Sequence, residues 1–142
     1  MRGNSQSAAI AREWIIKAEN DLKNATHTLK MSRGCPTDTV CFHAQQCVEK
    51  YLKAFLVVRR IDFPKTHDIE RLVSLLPENI WLRLSITEQR LLTTYAAVTR
   101  YPGEYDPIPL DEARLSVRLA RRVRKEIRDI LPKEILSPRR KY

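Results

Sequence analysis

His43, Gln46, Lys50 and Lys53 recur at intervals of three and four residues, the repeat that lines side chains up along one face of an α-helix. Their imidazole, amide and ammonium groups form a stripe of hydrogen-bond donors, the chemistry that holds a phosphate or a polar partner. The competing use is a solvated helix face. Arg100 is a second candidate, standing where a long helical pattern gives way to a Pro–Gly turn. Its guanidinium is always charged and can grip a phosphate bidentately, although pairing with Glu104 or with carbonyls at a helix end would occupy it equally well. A third constellation is Arg114, Arg118, Arg121 and Lys125, spaced by four, three and four on the last helical segment. Each could neutralise a phosphate, yet Glu112, Glu126 and Asp129 are interspersed, as on any mixed-charge surface. Tyr101 and Tyr105 are the aromatic residues placed to stack on an unpaired base.

Other chemistries find no support in the residue pattern. His27, His43 and His67 lie on separate segments without ligand spacing, so no metal site is expected. A Gly-rich phosphate loop is missing, and no cofactor is implied. The three cysteines form no C-x-x-C pair, and Cys41 and Cys47 fall on different helix faces. Reduced thiols and a cytoplasmic location are the expectation, with Cys47 as a small core residue. The N-terminal residues lack a signal peptide's apolar segment, and no apolar run reaches the roughly 20 residues of a membrane helix. A formal charge of +9 favours an anionic partner without choosing among nucleic acid, nucleotide and acidic protein.

The elements that must position these groups are helical. With only three glycines and no strand-like alternation, the 142 residues read as one all-α domain, an up-and-down bundle of four to five helices. The first helix spans about Ala8 to Met31 with Ile10, Trp14, Ala18, Leu22, Ala25 and Leu29 inward; Asp21, on that core side, needs a salt bridge or a helix-two donor. After Gly34, Cys35 and Pro36, Thr37 or Asp38 caps a second helix reaching Arg59. Its Val40, Ala44, Cys47, Val48, Tyr51, Leu52 and Phe55 face the core. Asp68 or Thr66 caps a short helix through Leu76. Pro77 then opens a segment with Ile80, Trp81 and Leu84 inward, Thr87 and Glu88 restart it, and Leu91, Leu92, Tyr95 and Val98 extend its apolar stripe. The last helix, Leu110 to Leu131, buries Ala113, Val117, Ala120, Val123, Ile127 and Ile130. Residues 1–9 form an N-terminal extension, 10–131 the domain, and 132–142 a basic, fraying tail.

Four segments in order resemble the HEPN domain family. Ala18-Glu-Asn-Asp-Leu22 with Ala25 is similar to its A-x-x-D-L-x-x-A, and Phe42 to Ala54 to its F-H-A-Q-Q-x-x-E-K-x-L-K-A. Lys65 to Ile69 is similar to K-T-H-D-L, and Leu92 to Pro102 to the run ending in R-Y-P. The resemblance implies the same helical fold, a homodimer, and a minimal nucleotidyltransferase partner in a toxin–antitoxin-like system, with nucleotide or RNA contact. His43, Gln46, Lys50, Lys53 and Arg100 would then line the binding groove. Many family members are metal-independent ribonucleases in which Arg stabilises the phosphorane and a His four to six residues later moves the proton. Here the window after Arg100 holds Tyr105, Asp106 and Pro107 and no His, so the usual pair is incomplete and enzymatic activity stays open. Arg60 and His67 satisfy the spacing, but at the K-T-H-D segment, where capping or orientation is the simpler role. By the same resemblance Tyr105, and after it Tyr101, is the candidate for modification by the partner. The alternatives are an endoribonuclease in which His43 or Tyr105 replaces the missing base, and a non-catalytic helical adaptor.

Overall fold

The structure, a computed structural model, describes residues 2–31, 33–96, 103 and 106–137, with side chains from residue 6 onward. Six helices lie among them: α1 (Arg2–Leu29), α2 (Thr37–Val58), α3 (Ile69–Ser74), α4 (Ile86–Thr94), α5 (Leu110–Ile130) and α6 (Lys133–Leu136). No strand occurs among the described residues. The all-α bundle is as the sequence implies, the short α3 included, and α6 is the helix that raises the count above five.

The central helix is α2, which packs against α1, α3, α4 and α5. Its expected core face is buried throughout, but so are Cys41, Gln45, Glu49, Lys53, Ala54 and Leu56. A helix enclosed on so many sides keeps little solvated face, and its polar stripe must find partners within the protein. Pro36 occupies its N-cap position and no side chain caps it, contrary to the expected role of Thr37 or Asp38. Thr37 Oγ1 instead donates to the Ile108 carbonyl at 2.7 Å, fastening the start of α2 to the approach to α5. At its C-terminal end Arg60 takes a left-handed φ of 56°. That conformation lets Arg60 N–H reach Val57 and Ile61 N–H reach the Leu56 carbonyl, a Schellman closure.

Along α1 the inward row is Ala11, Ile15, Ala18, Asp21 and Ala25, while Ile10 is 51% exposed. The expectation for Ile10 is thus off by one helix position. Rows starting at 10 and at 11 both have helical spacing, and small alanines permit the closer approach of α1 to α2. Helix α1 starts at Arg2, ahead of the expected start near Ala8, so residues 2–9 are helical. Gly34 turns the chain between α1 and α2 at φ 68°, where a Cβ would be strained.

Asp68 caps α3, accepting from Arg71 N–H, and Thr66 Oγ1 accepts from Asp68 N–H. The stretch after Pro77 is not helical. Leu82 and Leu84 alternate inward, which turns Trp81 out to 82% exposure, the reverse of its expected burial. Helix α4 begins with a Ser85–Glu88 capping box rather than at Thr87. In α5 the inward row holds from Ala113 to Ile127, but Ile130 is 40% exposed. The chain leaves the helix at Leu131 in an extended conformation, and Leu131 fills the core position instead. The tail does not fray at once: Pro132 leads into α6, which packs against α1 and has Ile135 buried. Val98 lies outside the described residues.

Candidate functional site

Three carboxylates organise the polar interior, and two of them sit on α1. Asp21 is buried and meets helix-two donors as its position requires: His43 Nδ1 is 2.7 Å from Oδ1 and Lys50 donates to Oδ2. A buried carboxylate without such partners would cost several kcal/mol, roughly, in desolvation. Glu49 is enclosed more deeply still, taking hydrogen bonds from Lys53 Nζ at 2.9 Å and Gln45 Nε2 at 3.1 Å, with His67 Nδ1 at 2.8 Å. Burial pushes its carboxyl pKa up, but the bonds from Lys53, His67 and Gln45 outweigh it and hold the group below the usual range. Gln45 also donates to the His67 carbonyl, and Gln46 Nε2 donates to Gln45 Oε1. Trp14 and Phe63 close over the Lys53 ammonium, 5.3 and 5.9 Å from the ring centres.

Glu19, the third carboxylate, joins α1 to α2 and α5. Arg124 clamps it with two bonds of 2.7 and 2.9 Å, and Tyr51 donates to it at 2.6 Å. Burial opposes its ionisation, yet the Arg124 and Tyr51 bonds win and keep its pKa low. Burial and the same carboxylate together push the Tyr51 phenol up. Farther along, Thr93 Oγ1 on α4 accepts from Ile69 N–H, tying α4 to the start of α3.

The stripe of His43, Gln46, Lys50 and Lys53 is therefore not a row of open donors. The Lys53 side chain is only 8% exposed and closed off by Glu49 and two rings. Lys50 is held by Asp21. His43 keeps a quarter of its side chain exposed. Because an ionised carboxylate only accepts, the bond to Asp21 places the hydrogen on Nδ1 and leaves Nε2 as the open nitrogen. No partner meets Nε2 among the described residues. An imidazole oriented in this way is the arrangement a general base needs.

On α5 the basic stripe is exposed along its length. Arg114 pairs with Asp111 and Lys125 with Asp129, each within the helix, while Arg121 reaches Thr26 on α1. Arg100, Tyr101 and Tyr105 lie outside the described residues. His67 is drawn onto Glu49 while its neighbour Asp68 caps α3, the orienting role its segment suggests. No cluster of three metal-ligating side chains occurs among the described residues. Cys41 and Cys47 are buried, and desolvation raises the pKa of both thiols.

Sequence reading misses Glu49, Gln45 and the Glu19–Arg124 clamp. The first had a signal in the four-residue spacing of Glu49 and Lys53. The clamp joins residues 105 positions apart and had none.

The bundle and its polar layer define a helical domain whose recurrent segments converge. Asp21 comes from the first, His43, Glu49, Lys50 and Lys53 from the second, His67 and Ile69 from the third, and Thr93 from the fourth. The family model of the HEPN domain matches residues 11–130, and this chain belongs to the HEPN domain family. No curated protein and no solved structure matches it.

Proposed function

We propose that this HEPN protein binds nucleotide or RNA and works with a minimal nucleotidyltransferase in a toxin–antitoxin-like system, as a homodimer. The observation that carries the reading is that hydrogen bonds link the four family segments one to the next, Asp21 with His43, Glu49 with His67 and Ile69 with Thr93, the fourth segment continuing in sequence to Arg100. The guanidinium at the end of that run is suited to phosphate. The net charge of +9 suits a polyanionic ligand. Tyr105, and after it Tyr101, is the acceptor for the partner: its phenol oxygen attacks the α-phosphate of ATP, pyrophosphate leaves, and the proton passes to solvent. Intact-mass analysis after incubation with the nucleotidyltransferase and ATP tests this. A single nucleotidyl adduct, lost in Tyr105→Phe, is expected; an unchanged mass contradicts it.

The Asp21–His43 pair favours a second reading, a metal-independent endoribonuclease. His43 Nε2 would accept the ribose 2′-hydroxyl proton while Arg100 stabilises charge on the phosphorane. Single-stranded RNA incubated in chelator would then be cut by the wild type and spared by Arg100→Ala and by His43→Gln. Cleavage that survives His43→Gln removes His43 from the chemistry.

A further inference from the structure

A trough between α1 and α5 gathers five basic side chains, of which only Arg124 is taken up by the polar interior. Lys23, His27 and Lys30 line it from α1, and Arg121 and Arg124 from α5, around an opening of about 840 Å³, within the usual range of ligand clefts. Arg124 neutralises Glu19, the one acid in the lining. Arg121 uses one nitrogen on Thr26, at 3.2 Å, which aims the guanidinium across the trough and keeps its other donors open. Lys23 and Lys30 are exposed and meet no carboxylate within ion-pair distance among the described residues. Three positive charges therefore face one opening without a matching acid.

The lining also selects the kind of partner. Leu22 is its one apolar residue, whereas protein interfaces are built around an apolar core. Nucleic-acid interfaces are strongly cationic, as this lining is. Lys23 and Lys30 stand seven residues apart, about 10 Å along the helix at 1.5 Å per residue. That separation suits successive phosphates of a chain better than the clustered phosphates of one nucleotide. No Phe, Tyr or Trp lines the trough, so base stacking contributes nothing and the backbone charge governs.

We propose that the α1–α5 trough is a docking track for the sugar–phosphate backbone of single-stranded RNA, with Lys23, Lys30 and Arg121 on consecutive phosphates. His43 is not among the residues that line it, and the inference rests on the proposed function only in the choice of RNA as ligand. Binding in chelator reads it without any cleavage or partner. Fluorescence anisotropy of a labelled single-stranded RNA would compare the wild type with a Lys23→Gln/Lys30→Gln/Arg121→Gln variant. The control is Lys17→Gln/Lys65→Gln/Lys133→Gln, which removes the same charge from exposed positions outside the trough. Thermal unfolding followed by circular dichroism verifies that each variant is folded. The trough variant should bind about tenfold or more weakly and lose roughly two units of the log–log salt slope, at about 0.7 per single-strand phosphate. The control should lose less than about threefold. Equal losses in both variants, or none in the trough variant, overturn the track. Displacement of the RNA by ATP at the RNA's own affinity overturns it too, in favour of a single-nucleotide site. Loss of the tyrosine adduct test alone would leave the track standing.

Discussion

The polar stripe of α2 and the basic stripe of α5 look alike as sequences and end in opposite situations. Both have three- and four-residue spacing and long cationic side chains. On α2 those side chains are enclosed and each is matched: Lys50 and His43 by Asp21 of α1, and Lys53 by Glu49 of its own helix, beneath Trp14 and Phe63. On α5 they face outward, where Arg114 and Lys125 meet only neighbours on their own helix. The difference comes from position in the bundle. A helix with neighbours on several sides must convert its polar groups into internal pairs, because an unmatched buried charge is too costly. A peripheral helix can leave its charges in water, where pairing contributes little to stability and the charge is available to a ligand. The same residue types hold the fold in one place and meet solvent in the other.

The largest effect should come from breaking the α2 side of that contrast. Glu49→Ala strands the enclosed Lys53 ammonium and releases His67, and should cost about 3–5 kcal/mol in urea unfolding. A loss below about 1 kcal/mol would show that the pair is solvated. Asp21→Asn removes one charge but keeps hydrogen-bonding capacity, and about 1–3 kcal/mol is expected. Acid sharpens the same comparison. Glu49 and Glu19 have folded pKa values below their ordinary 4.5. Their contribution is therefore present above about that pH and disappears as the pH falls through the lowered values. Lys53 and His67 face Glu49, and Arg124 faces Glu19, so the unfolding midpoint should drop steeply below about pH 4.5. Glu49→Gln should be less stable at neutral pH and show a shallower acid slope; an unchanged slope would remove Glu49 from the pH dependence. Smallest of all, Arg114→Gln should move stability by under about 0.5 kcal/mol, since its partner Asp111 lies at an exposed helix start.

Much of this arrangement was legible in the sequence, and the reasons differ from region to region. The apolar row of α2 could be read because periodicity alone specifies a buried face. Asp21 could be read as needing a donor because it sits between Ala18 and Ala25 on the inward side of α1. What periodicity does not encode is how many sides of a helix are covered, so Lys53 looked like a surface donor and is enclosed. Trp81 misled for a related reason: large apolar residues are expected inside, but an extended segment alternates and had only one inward side to offer Leu82 and Leu84. The Glu19–Arg124 clamp and the α1 wall of the trough depend on which helices become neighbours, and residues so far apart in the chain carry no local sign of it.

One pair of substitutions tests the contrast most directly: Lys53→Gln and Arg118→Gln, each removing one positive charge from a stripe of the same spacing. Urea unfolding at neutral pH would give both stabilities on one scale. The expected result is a loss of about 3 kcal/mol or more for Lys53→Gln, which leaves Glu49 without its ammonium, and under about 0.5 kcal/mol for Arg118→Gln. Losses of similar size in the two variants would contradict the division between a helix that uses its charges to hold the fold and one that leaves them to solvent.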